Sequence, residues 1–222
     1  MRSPSIRVVF LILLTLPSAC ANMRGGVRTA AQPVVALEEQ PGPPWRDIAR
    51  AEHRTAIDDI ESRWKAALAT ASRRYPSRIR HEGTLLAPEE ALPQPTLTPG
   101  PYWCRLIRLG SNPPFVRTSA SRCDVATSAA GQTLTRQGGP ELWGGWLYGD
   151  DKSTRLIFLG AQKASADVAA PGYGADTKRD VAGVVERVAP FRWRLVLPDP
   201  EAKPGRLDIV ELWPMLNAPP AS

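Results

Sequence analysis

The side chains best suited to chemistry in this chain are carboxylates gathered toward its C-terminal half: Asp176, Asp180, Glu186, Asp208 and Glu211. Two acids with suitable separation, one kept protonated by its surroundings, would let the chain cleave a glycosidic bond by general acid and base steps. Asp208 and Glu211 are three apart, so on one regular strand they point to opposite faces and cannot form that pair with each other. The competing expectation is that Glu186 and Glu211 are neutralised by arginines such as Arg194. Ser62-Arg63-Trp64-Lys65 has the Ser-x-x-Lys spacing of a lysine-activated serine, but the Ser-Asp-Asn and Lys-Thr-Gly elements that accompany it are missing. No Gly-x-Ser-x-Gly elbow and no phosphate loop ending in Gly-Lys-Ser/Thr occurs. His53 and His81 are the only histidines, the first expected on the exposed side of a helix and the second in a connector. They lie far apart with no supporting ligands, so neither a metal site nor a cofactor is expected.

A binding role has its own candidates. Trp143-Gly144-Gly145-Trp146 sets two glycines between two indoles, where the backbone can be approached closely and a ring can stack on a sugar. Trp143, Trp146, Asp176 and Asp180 are therefore the expected binding residues. The 28 basic and 22 acidic residues give a net charge of +6, which becomes +4 without Arg2 and Arg7. The basic residues are dispersed, as Arg73-Arg74, Arg105 with Arg108, and Arg192 with Arg194, so no nucleic-acid partner is expected. The expected partner is an envelope ligand or protein.

That compartment follows from residues 1–21. Arg2 and Arg7 precede the apolar run Val8-Val9-Phe10-Leu11-Ile12-Leu13-Leu14-Thr15-Leu16, and small residues follow at Ser18, Ala19 and Ala21. This is the pattern of a secretory signal peptide, with a run too short to be a permanent bilayer span. Cleavage after Ala21 is one reading. The other is lipidation of Cys20 in Leu16-Pro17-Ser18-Ala19-Cys20, which would give a lipoprotein anchored to a membrane in the periplasm or at the outer membrane. Pro17 stands where such signals usually carry leucine. With Cys20 assigned to the signal, Cys104 and Cys123 remain and can pair in an oxidising compartment, closing a loop worth about 3 kcal/mol.

Residues 22–44 are rich in Gly, Gln and Pro and read as a flexible spacer. From about 48 to 75 Ile57, Ile60, Trp64 and Leu68 recur every three or four residues, the stripe of an amphipathic helix ended by Pro76. The stretch 76–101 is interrupted by prolines and reads as a connector, with one helical turn at 87–92. Short β-like runs follow at 102–109, 115–126, 133–136, 146–148, 155–160, 181–188, 192–197 and 207–213. A three-residue turn at 189–191 would set Glu186 opposite Arg194. The long interruption at 161–179 is the expected functional loop or lid. The expected fold is α+β: an N-terminal amphipathic helix packed on an antiparallel β barrel or sandwich of about eight strands. It occupies residues 45–214, with a disordered tail at 215–222.

The run Tyr102-Trp103-Cys104-Arg105-Leu106-Ile107-Arg108-Leu109-Gly110, then Cys123, Gly145-Trp146-Leu147-Tyr148 and Phe158-Leu159-Gly160, resembles a proteobacterial exported family catalogued as domain of unknown function 4893. Arg179-Asp180-Val181-Ala182-Gly183, Arg192-Trp193-Arg194-Leu195-Val196-Leu197-Pro198 and Leu207-Asp208-Ile209-Val210-Glu211-Leu212 extend the likeness across residues 45–214, which departs most at 138–142 and 198–206. The resemblance implies an exported domain with a two-cysteine β region and brings no catalytic residues with it. A looser fold-level likeness to small periplasmic lysozyme or protease inhibitors adds inhibition to binding and glycan hydrolysis as functions to weigh.

Overall fold

The computed structural model describes residues 44–201 and 206–216. The signal segment, Cys20, the spacer through residue 43 and residues 217–222 lie outside the described residues. Four helices come first: α1 (Trp45–Ile48), α2 (Ala51–Asp58), α3 (Ile60–Arg74) and α4 (Pro76–Glu82). A 3₁₀ turn, Gly83–Leu86, leads toward nine strands. These are β1 (Gly100–Leu109), β2 (Phe115–Arg117), β3 (Ser121–Ser128), β4 (Gly131–Arg136), β5 (Trp143–Gly149), β6 (Arg155–Gln162), β7 (Asp180–Ala189), β8 (Arg192–Pro198) and β9 (Leu207–Pro214).

The expected helix over 48–75 is broken. Asp58 and Asp59 sit at the break, residues whose short side chains compete for backbone hydrogen bonds, and Arg46 of α1 takes both Asp58 oxygens at 2.9 and 3.1 Å. Pro76 does not simply end the helical region, since it occupies the first turn of α4, where its missing N–H leaves nothing unpaired.

Each strand from β3 to β9 pairs antiparallel with the next, and β1 pairs with both β3 and β9, so eight strands close into a barrel. The extra strand β2 pairs with Ile107, Arg108 and Leu109 of β1. It arises because the expected strand over 115–126 is interrupted at Thr118, whose N–H reaches Leu106 O at 3.0 Å while Leu106 N donates to the Thr118 hydroxyl at 3.1 Å.

Alternation along the strands divides the buried side chains into two sets. Tyr102, Cys104, Leu106, Cys123, Val125, Leu134, Trp143, Phe158, Val185, Trp193, Leu195, Val210 and Leu212 form one cluster, which fills the barrel interior. The other joins Ile57, Ile60, Trp64 and Ala67 to Ile107, Ile157, Val184, Val196 and Ile209. Cys104 and Cys123 form a disulfide between adjacent strands, Cα to Cα 5.8 Å, facing the interior.

The turn after β7 holds the register that charge complementarity favours. Ala189 pairs with Arg192 around a two-residue turn at Pro190 and Phe191, and a bulge between Arg187 and Ala189 keeps Glu186 opposite Arg194. Their ion pair closes at 2.7 Å.

Candidate functional site

Strand direction gives the barrel two unlike ends. One carries short turns after β3, β5 and β7; the other carries the connections 137–142, 163–179 and 199–206. Long connections at one end of a rigid barrel are where binding groups are most readily varied. Three charged residues point inward there. Arg108 lies two positions beyond interior Leu106 on β1, Arg136 two beyond Leu134 on β4, and Asp208 two before Val210 on β9.

Arg108 and Asp208 meet a pair of rim residues, Glu141 and Arg206. Arg108 donates to Asp208 through Nε at 2.7 Å and Nη2 at 2.6 Å, and its Nη2 also bonds Glu141. Arg206 Nη2 lies 3.6 Å from both Glu141 Oε1 and Asp208 Oδ2. Bidentate pairing with Asp208 holds Arg108 firmly cationic, while burial raises the Asp208 carboxyl and Arg108 opposes that rise. Arg136 is more isolated. Its Nε donates to Gly138 O at 2.9 Å and contacts Ser121 Oγ at 3.4 Å, yet Nη1 and Nη2 are buried with no hydrogen-bond partner. Burial pulls its pKa down. Gly139, at φ +89°, lets the 137–142 backbone pass so close that a Cβ there would sit 2.6 Å from Arg136 Nη2.

The 163–179 connection is held to α2. Tyr173 OH lies 2.5 Å from His53 Nδ1 and accepts the Arg50 N–H at 3.0 Å. Asp180 accepts from Gly174 N at 2.8 Å and from Arg50 Nη1 at 3.3 Å, and Arg50 also donates to Thr177 O at 2.7 Å. His53 is thus buried rather than on the exposed helix face expected from its polarity. Burial, reinforced by the Arg50 charge, lowers its pKa.

The residues singled out from sequence divide among these places. Asp180 joins the His53, Tyr173 and Arg50 group, while Asp176 is exposed on the loop and accepts from Lys178 N at 3.2 Å. Trp143 is buried in the interior, edge-on to Phe158 with centroids 5.3 Å apart. Trp146 stands on the outer face of the same strand and is 37% exposed. Gly145 does permit a close approach, and what approaches is the backbone of Leu159 and Gly160 on β6. Glu211 bonds Arg105 and Arg192. Ser62 donates to Asp59 O at 2.8 Å and Lys65 pairs with Glu89, so the Ser-x-x-Lys pair is engaged elsewhere. His81 is exposed on α4. A separate groove of about 420 Å³ beside β2 is lined by Arg78, Pro113, Phe115, Val116 and Arg117.

Sequence reasoning missed Arg136, Glu141 and Tyr173. The alternation Leu134, Arg136 placed an arginine on the interior face, and Gly138-Gly139 just after it marked a tight passage; together those were the available signal.

Fold and site thus define a closed antiparallel barrel with a disulfide-linked wall and a charged, loop-bearing end. The family model described as Domain of unknown function (DUF4893) matches residues 45–212, and the chain belongs to that family. No curated protein and no solved structure matches it.

Proposed function

We propose that this is a non-catalytic binding domain acting in the envelope of the cell, with its ligand taken at the loop-bearing end of the barrel. The observation that carries this reading is that four of the five candidate acids are paired with arginine. Asp180 is held by Arg50, Glu186 by Arg194, Asp208 by Arg108, and Glu211 by Arg105 and Arg192. A hydrolase needs two carboxylates free to converge on its substrate, and acids committed to arginines at bonding distance are not presented to one. Buried apolar side chains occupy the barrel interior, so in this reading a ligand meets the domain at its end.

Export supports the setting. Residues 1–21 have the composition of a signal peptide, Cys20 suits lipidation and hence membrane tethering, and the Cys104–Cys123 disulfide belongs in an oxidising compartment. In this reading the amphipathic helical segment clamps the outer barrel wall and the spacer sets the distance from the membrane.

A second reading has one specific observation in its favour: burial raises Asp208, and Glu141 shares Arg108 with it. That is the environment of a hydrolase acid beside a second carboxylate. Native mass spectrometry of the protein purified from its own envelope separates the two. Binding predicts a non-covalent adduct that is lost when 163–179 is replaced by a short Gly-Ser linker. Oligosaccharide turnover abolished by Asp208→Asn, with no adduct, would put hydrolysis in its place.

A further inference from the structure

At the loop-bearing end three guanidinium groups, Arg108, Arg136 and Arg206, face two carboxylates, Glu141 and Asp208. The charges do not balance, and they are not shared evenly. Both carboxylates bond Arg108 and lie within ion-pair range of Arg206, while the hydrogen bonds of Arg136 go to neutral oxygens of Gly138 and Ser121. Exposure falls in the same order. The side chains of Arg206 and Glu141 are 38% and 36% exposed, those of Arg108 and Asp208 19% and 10%, and Arg136 is fully buried. The floor of this descending set is a cation whose Nη1 and Nη2 have no partner. A buried guanidinium in that condition costs several kcal/mol unless an anion accepts its hydrogen bonds.

We propose that Arg136 is the anchor of an oxyanion site, at which a carboxylate or phosphate group seats against Nη1 and Nη2. The planar fork of a guanidinium matches two oxygens of such a group, and the resulting charge-assisted bonds are the strong kind. Asp208 keeps Arg108 occupied, which leaves Arg136 as the cation free to select the incoming anion. Gly139 has a defined part: its missing Cβ leaves room for the guanidinium beside the 137–142 backbone. Glu141 lies close enough to act on Arg136 through its charge, so it competes with an incoming anion and opposes binding. The site rests on the binding role proposed above and names the chemistry of the ligand's recognised end.

The experiment is a thermal-unfolding titration of the purified protein with inorganic phosphate, acetate or sulfate, each against sodium chloride at equal ionic strength. Ligand that binds only the folded form raises the melting temperature with concentration. The expected result is a saturable rise for at least one oxyanion and none for chloride, with the ranking of the three identifying carboxylate or phosphate chemistry. Arg136→Met weakens that response at least about tenfold, because it removes charge-assisted bonds. Its anion-free melting temperature is expected at or above that of the unaltered protein, since no unpaired charge is left buried. Glu141→Gln strengthens the response, and this second variant tests the site even if Arg136→Met does not fold. A melting temperature that follows ionic strength alone, or an Arg136→Met protein that responds like the original, overturns the proposal. An envelope adduct that persists in Arg136→Met would leave the binding role standing and remove only this site.

Discussion

Tyr173 receives the Arg50 N–H on its hydroxyl oxygen and lies 2.5 Å from His53 Nδ1, a hydrogen bond whose direction is set by the His53 tautomer. Arg50, Arg54, Asp180 and Tyr173 are the charged and titratable groups around this contact, and burial is the main force holding the His53 pKa below its ordinary value. The unfolded chain therefore binds a proton before the folded one does. Stability contributed here is complete above the ordinary histidine value of about 6.5 and is lost as pH falls below it toward the depressed folded value. Urea unfolding from pH 7.5 to 5 should show that decline, and His53→Gln should flatten it; an equally steep decline in the variant would place the acid sensitivity elsewhere. Some of this was legible in the sequence. His53 stands four residues before Ile57 and seven before Ile60, on the apolar stripe, so its spacing pointed inward while its polarity pointed out. Tyr173 was not legible, because a loop residue has no periodicity to say what it will touch.

The helix-to-barrel connection depends on charge as much as on apolar contact. Glu82, at the end of α4, accepts from Arg105 Nη2 at 2.7 Å and Arg117 Nη1 at 3.2 Å, linking α4 to β1 and β2. Arg105 is held in turn by Glu211 of β9, which also bonds Arg192 of β8 at 2.6 Å. Glu82→Ala removes the charge-assisted bonds to the buried Arg105 and the partly exposed Arg117 and is expected to lower stability by about 2–3 kcal/mol. An unchanged urea midpoint would mean that Ile79, Leu85 and Leu86 hold α4 unaided. Arg194 ties the next segment, donating to the carbonyls of Thr84, Leu85, Ala87 and Pro88 while its guanidinium lies 4.4 Å over the Trp64 ring. The Glu186–Arg194 pair was expected from a three-residue turn; the turn has two residues, and the bulge between Arg187 and Ala189 supplies the offset that makes the pair face. Nothing local in the sequence of 83–88 announces an arginine more than a hundred residues away as its carbonyl partner. That is also why the helical turn expected at 87–92 is found instead as a 3₁₀ turn at Gly83–Leu86.

Closure of the barrel was only partly legible, as a choice between barrel and sandwich. Eight short strands with turn residues between them suit both, and the pairing of β1 with β9 that decides the matter joins Tyr102 to Pro214 across most of the domain. The disulfide stiffens the other edge of the same strand, tying β1 to β3. Replacing both Cys104 and Cys123 by Ala is expected to cost about 3 kcal/mol, read as a lowered urea midpoint that reductant no longer shifts. A midpoint indifferent to reductant in the unaltered protein would contradict it. The seam between first and last strands has a consequence for the order of folding. Until β9 emerges from the ribosome, β1 and β8 each keep an open edge, and the sheet cannot complete its cylinder. A polypeptide whose closing strand arrives last carries two open edges for most of its synthesis, so its exposure to pairing with other chains ends only when β9 is made.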